Sequence, residues 1–343
     1  MWSMGTIFST MTLELKVLGI PGGDNALFVR INSGQTLHRL LFDCGEGCLR
    51  SLPISEIQQI DHVFFSHLHV DHVAGFDSFF RCRYFRDSKP NVIWGPPETS
   101  RIMHHRFQGF MWNLHETLYS SWRVYDIHPD KVVQTRFEAQ DGFRHAYRGS
   151  SDERNAVILR ESTYHVEAYT LDHRTPCLAY IVREAPRINV NTERLAALGL
   201  TPGPWLQQLK TASNASSSIM VNGVPYHVGW LKEQLLVQRP GESVAYLTDF
   251  LLDDEAEKQL ICALRGCTTM VCESQYLEID RELATRNYHL TARQAARLAR
   301  RSGVRELILF HVSVRYGPYG WKALLDEAKA EFPNTRFPVN WPN

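Results

Sequence analysis

Six consecutive positions constrain this chain more than any others. His67, His69, Asp71 and His72, in the run Ser-His-Leu-His-Val-Asp-His, follow the strand-like stretch His62 to Phe65. A neutral imidazole needs partners for its ring nitrogens and a carboxylate resists burial, so a core does not gather such groups without something for them to bind. Zinc takes three or four nitrogen, oxygen or sulfur ligands, and a catalytic site keeps one position for water. His67 and His69, two apart, can face one ion together, and Asp71 and His72 can face a second. Two ions about 3.5 to 4 Å apart clamp the attacking and leaving oxygens of a displacement. The run predicts metal-assisted chemistry at a strand end.

The composition is that of an ordinary globular enzyme. Of 343 residues, 44% are hydrophobic and 22% charged, which excludes a disordered or fibrous chain and favours one elaborated core. Basic and acidic residues both number 37, so a polyanion has to be met by a local patch. One candidate lies just past the histidine run, where Arg81, Arg83, Arg86, Lys89, Arg101 and Arg106 outnumber Asp87 and Glu98; a solvated helix face is the commoner meaning of such mixed charge. Seven cysteines without a C-x-x-C pair read as reduced thiols. Met1 to Thr10 lacks the basic-then-apolar pattern of a secretory signal, and no stretch approaches the roughly 18 apolar residues of a membrane span. The expected location is cytoplasmic, with no membrane partner.

Alternation predicts strands at Thr12 to Val17, Ala26 to Ile31 and Leu37 to Phe42, an opening β-meander. Further strand-like runs recur at 91–94, 164–171, 177–182, 243–248, 268–272 and 306–310. Helical patterns occupy 76–85, 97–107, 253–264, 291–302 and 319–331. This mixture, without strict βαβ alternation, suggests two sheets packed face to face with helices outside. Asp141 to Arg154 reads as a polar loop or irregular hairpin. Arg187 to Gln238, about fifty residues with weak core patterning, reads as an insertion, and insertions of that length are usually functional.

The H-x-H-x-D-H pattern of His67, His69, Asp71 and His72 resembles the signature of the metallo-β-lactamase superfamily. The resemblance implies an α/β (αββα) fold of two packed mixed β-sheets flanked by helices, one domain over 11–335 with the arm 187–238 inserted in it. It also extends to single residues. Asp43, in Phe-Asp-Cys-Gly-Glu-Gly, is similar to a carboxylate that buttresses the histidine loop. His173, Asp249 and His311, each after a strand, are similar to the remaining ligands, Asp249 bridging two Zn2+ ions.

Within the superfamily, His289-Leu290-Thr291-Ala292-Arg293-Gln294, with His311-Val312-Ser313-Val314-Arg315-Tyr316, resembles the ribonuclease Z branch, which removes 3′ trailers from precursor tRNA. Gly199-Leu200-Thr201-Pro202-Gly203-Pro204-Trp205 resembles that branch's tRNA-gripping arm, with Gly203 and Pro204 as substrate contacts. The likeness implies a homodimer. It departs from the branch in its short loop Gly19 to Gly23, in Cys272-Glu273-Ser274-Gln275 and in Leu290. The expected roles are water orientation by Asp71, protonation of the leaving group by His289 with Glu273 fixing its tautomer, and phosphate contact by Ser313 and Arg315. Alternatives are a phosphodiesterase for another substrate, such as cyclic nucleotides, or a noncatalytic RNA-binding protein. His104, His105, His115, His128, His145, His165 and His227 have no comparable setting and read as structural.

Overall fold

Leu13, Leu15 and Val17 alternate with polar neighbours, and that period of two builds β1 (Thr12–Gly19), the outer strand of a meander with β2 (Asn25–Asn32) and β3 (Leu37–Phe42). The computed structural model describes residues 12–33 and 36–341; Met1 to Thr10 and residue 11, the expected start of the domain, lie outside the described residues. The meander continues into β4 (His62–Phe64), β5 (Asn91–Gly95), β6 (Ser121–Ile127), β7 (Lys131–Glu138) and β8 (Tyr147–Glu153), an eight-stranded sheet in sequence order. Strands β3 to β6 are parallel, so their carboxyl ends share one edge. The second sheet holds β9 (Val157–Arg160), β10 (Tyr164–Asp172) and β11 (Pro176–Glu184), then β16 (Ser243–Leu247), β17 (Thr269–Glu273), β18 (Glu306–Phe310) and β19 (Thr335–Arg336). The last four are mutually parallel.

Leu40 and Phe42 face one side of β3 and Leu41 the other, and both sides are buried. Toward the second sheet, Phe42 stacks on Phe64 at 4.9 Å and meets Tyr180 and Tyr246 at 5.6 and 5.8 Å. On the opposite side, Leu41, Val63 and Trp122 pack with Phe76 and Phe80 of α3 (Phe76–Arg83) and Phe107 of α4 (Thr99–Phe107). Burial on both faces explains why these strands read as continuous apolar runs. Helices α8 (Asp254–Ala263) and α10 (Ala292–Ser302) supply Leu260, Ala295 and Ala299 to the core of the second sheet. The Asp253 carboxylate caps α8, and a Thr291–Gln294 capping box starts α10.

Two stretches of weak patterning carry regular elements. Within 141–154, β8 is a true strand, but all seven of its residues are exposed, so no alternation of burial marks it. Residues Glu184–Gly241 form a second compact unit. In it, β12 (Arg187–Val190) pairs with β15 (Leu236–Arg239), and β13 (Ser218–Val221) with β14 (Val224–His227) through an Asn222-Gly223 turn of positive φ. With α5 (Thr192–Ala197), α6 (Trp205–Thr211) and α7 (Val228–Leu235), these close a core of their own around Trp205, Leu209 and Leu231. No element in the unit exceeds eight residues, so each period it carries, such as Val228, Leu231 and Leu235 on α7, is brief. The Asn-Gly pair was its one strong local signal. Among the described residues no helix is long and apolar enough to cross a membrane.

His62 of β4 gives the fold a pH dependence. Burial lowers its pKa to about 4 despite the neighbouring Asp61, and its Nδ1 accepts a hydrogen bond from the Trp94 indole at 3.2 Å. The unfolded chain binds a proton near pH 6.5 that the fold refuses until about pH 4, so stability falls as pH drops through that window. Substitution His62→Gln retains an acceptor without a titrating group. It is expected to move the acid-unfolding midpoint to lower pH, read by circular dichroism; an unchanged midpoint would remove His62 from the account.

Candidate metal centre

The carboxyl ends of the strands deliver the candidate residues. Asp43 follows β3, His67 to His72 follow β4, His173 follows β10, Asp249 follows β16 and His311 follows β18, while Glu273 closes β17. His289 lies between α9 (Arg281–Asn287) and α10. Asp43, Asp249 and His311 have φ of 58°, 51° and 50°, as do their neighbours Arg174 (58°) and Tyr288 (59°). Left-handed backbone at non-glycine positions is strained, and such residues concentrate where function fixes geometry.

Asp43 is fully buried. It accepts hydrogen bonds from the Ser66 amide and hydroxyl, both at 2.7 Å, the Tyr246 hydroxyl at 2.8 Å and His72 Nδ1 at 2.7 Å. This anchors the histidine loop to both sheets and turns His72 Nε2 inward. That nitrogen is buried and makes no hydrogen bond, although Asp249 Oδ2 lies 3.3 Å and Asp71 Oδ2 3.5 Å away. An orphaned donor atom facing two carboxylates is what a metal position requires.

The donor atoms fall into groups whose members lie within 4.8 Å of one another. His67, His69 and His173 form one; Asp71, His72, Asp249 and His311 form another. Asp249 Oδ2 is also 3.7 Å from His67 Nε2 and 3.9 Å from His173 Nε2, so the carboxylate stands between the groups. A third combination joins Asp249 and His311 with Glu273 and His289. Nitrogen and carboxylate donors in these numbers suit a divalent metal.

Protonation follows the same geometry. Burial pushes His67 well below its ordinary pKa, and the neighbouring His72 adds to the effect, leaving a neutral donor. Burial opposes charge on Asp249, but the facing His311 and His72 outweigh it and hold the carboxyl well below the usual range. Burial also opposes charge on Asp71, and the facing His311, 3.7 Å away, together with His72 reverses that shift. His173 Nδ1 donates to the Tyr288 carbonyl at 2.8 Å, which frees Nε2 for the centre.

His289 is held differently. Glu273 Oε1 accepts from the Phe250 amide at 3.0 Å, and Oε2 receives His289 Nδ1 at 2.9 Å. Burial pulls the imidazole down, but the Glu273 charge and hydrogen bond prevail and raise it to about 9. Thr291, two residues on, is the helix cap. Ser313 and Arg315 lie on the loop after His311; the Ser313 hydroxyl accepts from the Arg315 amide at 3.2 Å, and Arg315 is exposed. Gly203 and Pro204 lie in the separate unit, where Pro204 precedes α6.

Sequence reasoning missed Tyr246, whose bond to Asp43 spans 203 residues, and Gln275, whose Nε2 is 3.0 Å from His311 Nδ1. Gln275 stood in view as part of the departing segment Cys272 to Gln275. The basic cluster beyond the histidine run is largely consumed internally. Arg83 is buried against the Ile57 and Ile60 carbonyls and Asn91, Arg86 binds Pro90 O, Lys89 pairs with Asp61, Arg101 with Glu98 and Arg106 with Asp77. His104 and His115 bond backbone carbonyls, and His165 bonds Glu167, as structural histidines do.

A family model described as the anti-Pycsar protein Apyc1 matches residues 24–147. Among curated proteins, a ribonuclease Z from Deinococcus radiodurans is 42% identical over 96% of this chain and 98% of its own length. A ribonuclease Z from Brevibacillus brevis is 29% identical over 86% of this chain and 83% of its own. Among solved structures, the metallo-β-lactamase fold protein YhfI from Bacillus subtilis superposes with a TM-score of 0.56 at 16% identity, covering 96% of each chain. The short form of human tRNase Z superposes with a TM-score of 0.55 at 16% identity, covering 88% of this chain and 93% of its own. The fold is the metallo-β-lactamase fold.

Proposed function

Because this chain belongs to the ribonuclease Z family, we propose that it is a dinuclear zinc endoribonuclease that removes 3′ trailers from precursor tRNA. The observation that carries this reading is the convergence of seven ligand-type side chains, from four places in the sequence, into two groups with Asp249 between them. His67, His69 and His173 would hold one ion, and Asp71, His72 and His311 the other, with Asp249 between them. Two such ions promote ionisation of water near neutral pH and offset charge accumulating on a phosphoryl group.

The chain's own groups do the rest. Asp43 fixes the His72 tautomer through Nδ1. Asp71 accepts a hydrogen bond from the attacking water and orients it toward phosphorus. His289, whose Nδ1 is held by Glu273 at 2.9 Å, donates its Nε2 proton to the departing 3′ oxygen. Ser313 and Arg315, on the loop from His311, are placed to contact the substrate phosphate. The reading includes the homodimer and the cytoplasmic location expected from the sequence.

The direct test is zinc-loaded protein on a 3′-extended precursor tRNA beside cyclic nucleotides. Cleavage at the trailer junction is expected, and turnover of cyclic nucleotides alone would replace this reading with its alternative. Substitution His289→Ala is expected to lower kcat on the precursor by about 10²- to 10⁴-fold, the range of general-acid catalysis, with metal content unchanged. Loss of an ion from that variant would reassign His289 as a ligand. Replacing Glu273 with Gln should lower the His289 pKa from about 9; the histidine resonances of the metal-free protein report it.

A further inference from the structure

With most of the basic residues past the histidine run engaged internally, Arg81 excepted, the described part of the main body offers a second basic surface at the far edge of the first sheet. Arg123 of β6, Gln134 and Arg136 of β7, and Tyr147, Arg148 and Gly149 of β8 line a groove of about 380 Å³ that contains no carboxylate in its wall. Arg123 stands directly opposite Arg136 in the antiparallel register, and Arg136 opposite Tyr147. Like charges placed so are destabilising, which calls for a reason other than stability. Arg136 is answered by Glu138 at 3.1 Å and lies over the Tyr147 ring at 5.3 Å. Tyr147 donates to Asp141 at 2.8 Å. Among the described residues Arg123 and Arg148 have no carboxylate partner, and both are exposed.

Charges that merely keep an edge strand from pairing belong on that strand, and Arg148 could serve so on β8. Arg123 cannot, because it lies two strands in from the edge. The register shift between Val133 and Thr135 bends β8 at this place. A Cβ at Gly149 would lie 2.8 Å from Gln134 Nε2, so the Gln134 side chain packs directly over that glycine. The groove is floored by β6, β7 and β8 at the edge of the sheet, whereas small-molecule sites enclose most of their ligand. A charged track beside an aromatic platform is the way proteins follow single-stranded nucleic acid.

We propose that this groove binds a phosphodiester segment of the RNA substrate, with phosphates on Arg123 and Arg148 and a base on the Tyr147–Arg136 pair. The proposal rests on the RNA-processing reading and adds a contact remote from the metal centre. The double variant Arg123→Ala, Arg148→Ala changes two exposed side chains of the zinc-loaded protein. Anisotropy with a precursor tRNA carrying a methylphosphonate at the scissile linkage is expected to show roughly tenfold weaker binding at 0.1 M salt. The slope of log affinity against log salt should shrink by about 1.4, the release expected for two single-strand phosphates. KM for the cleavable precursor should rise in step while hydrolysis of a small chromogenic phosphodiester stays unchanged. Equal affinity and slope in variant and wild type overturn the proposal. Arginine-dependent binding of AMP with RNA affinity intact also overturns it, in favour of a small-anion site. Failure of the function reading is separate, because wild-type protein would then leave the precursor uncut while the arginine-dependent RNA binding persisted.

Discussion

Substitution Asp249→Ala is expected to reduce hydrolysis of any phosphodiester by at least a thousandfold, about 4 kcal/mol of barrier, and to lower the metal content per chain. The reason is positional. One carboxylate lies 3.2 Å from His311, 3.3 Å from His72, 3.7 Å from His67 and 3.9 Å from His173, so its loss removes a donor from both groups at once. It also leaves Asp71 as the one carboxylate among the ligand groups, none remaining beside His67 and His173, which weakens whatever ion remains. Removing Asp43 acts one step away, by freeing the His72 ring rather than deleting a donor, and losses at such outer positions are typically 10- to 100-fold. The ordering of the two variants is therefore part of the expectation. Elemental analysis and a chromogenic phosphodiester read both quantities. A variant that keeps two metals and works within tenfold of wild type would falsify the bridging role.

How much of this was legible beforehand depended on sequence separation. The histidine run could be read because its donors lie within six residues and its spacing alone implies convergence. His173, Asp249 and His311 are single residues after strands, a setting that turn residues share, and only the family pattern singled them out. Tyr246 and Gln275 carried no local signal, because each is recruited by a partner 203 or 36 residues away. The six basic residues past the run, for which a phosphate patch and a solvated helix face were both open, show the converse. Their excess charge in the sequence is real, but Arg83 is buried and Lys89, Arg101 and Arg106 are ion-paired, two of those three with partners 28 and 29 residues distant. Strand β8 hid for another reason. A strand that buries neither face has no alternation to display, so the polar composition of 141–154 left a loop and an irregular hairpin equally open.

Excision of the inserted unit is expected to separate two properties that the other variants change together. Arg183 of β11 pairs with Ser243 of β16 in antiparallel register, so replacing Ala185 to Gly241 with Asn-Gly closes the two strands as a tight hairpin. The removed residues take their own core with them, around Leu195, Trp205, Leu209 and Leu231, and leave the cores of the main body uncut. Thermal stability and metal content should therefore survive, as should hydrolysis of the small phosphodiester. Cleavage of precursor tRNA should not. In the proposed reading the unit grips the tRNA body away from the reacting bond. Its charge of five basic against three acidic residues, the exposed Pro204 and the Tyr226–Trp230 stack at 5.8 Å suit that task. Binding energy from a remote part of a substrate is used to position the reacting centre, so its loss depresses kcat/KM for the large substrate alone. A fall of at least 100-fold on the precursor, about 3 kcal/mol, with the small substrate within twofold, is the expected result. Equal tRNA cleavage by the trimmed and full proteins would assign the unit another task. If both activities vanished while two metals remained bound, the unit would have to shape the reaction centre itself rather than hold the tRNA.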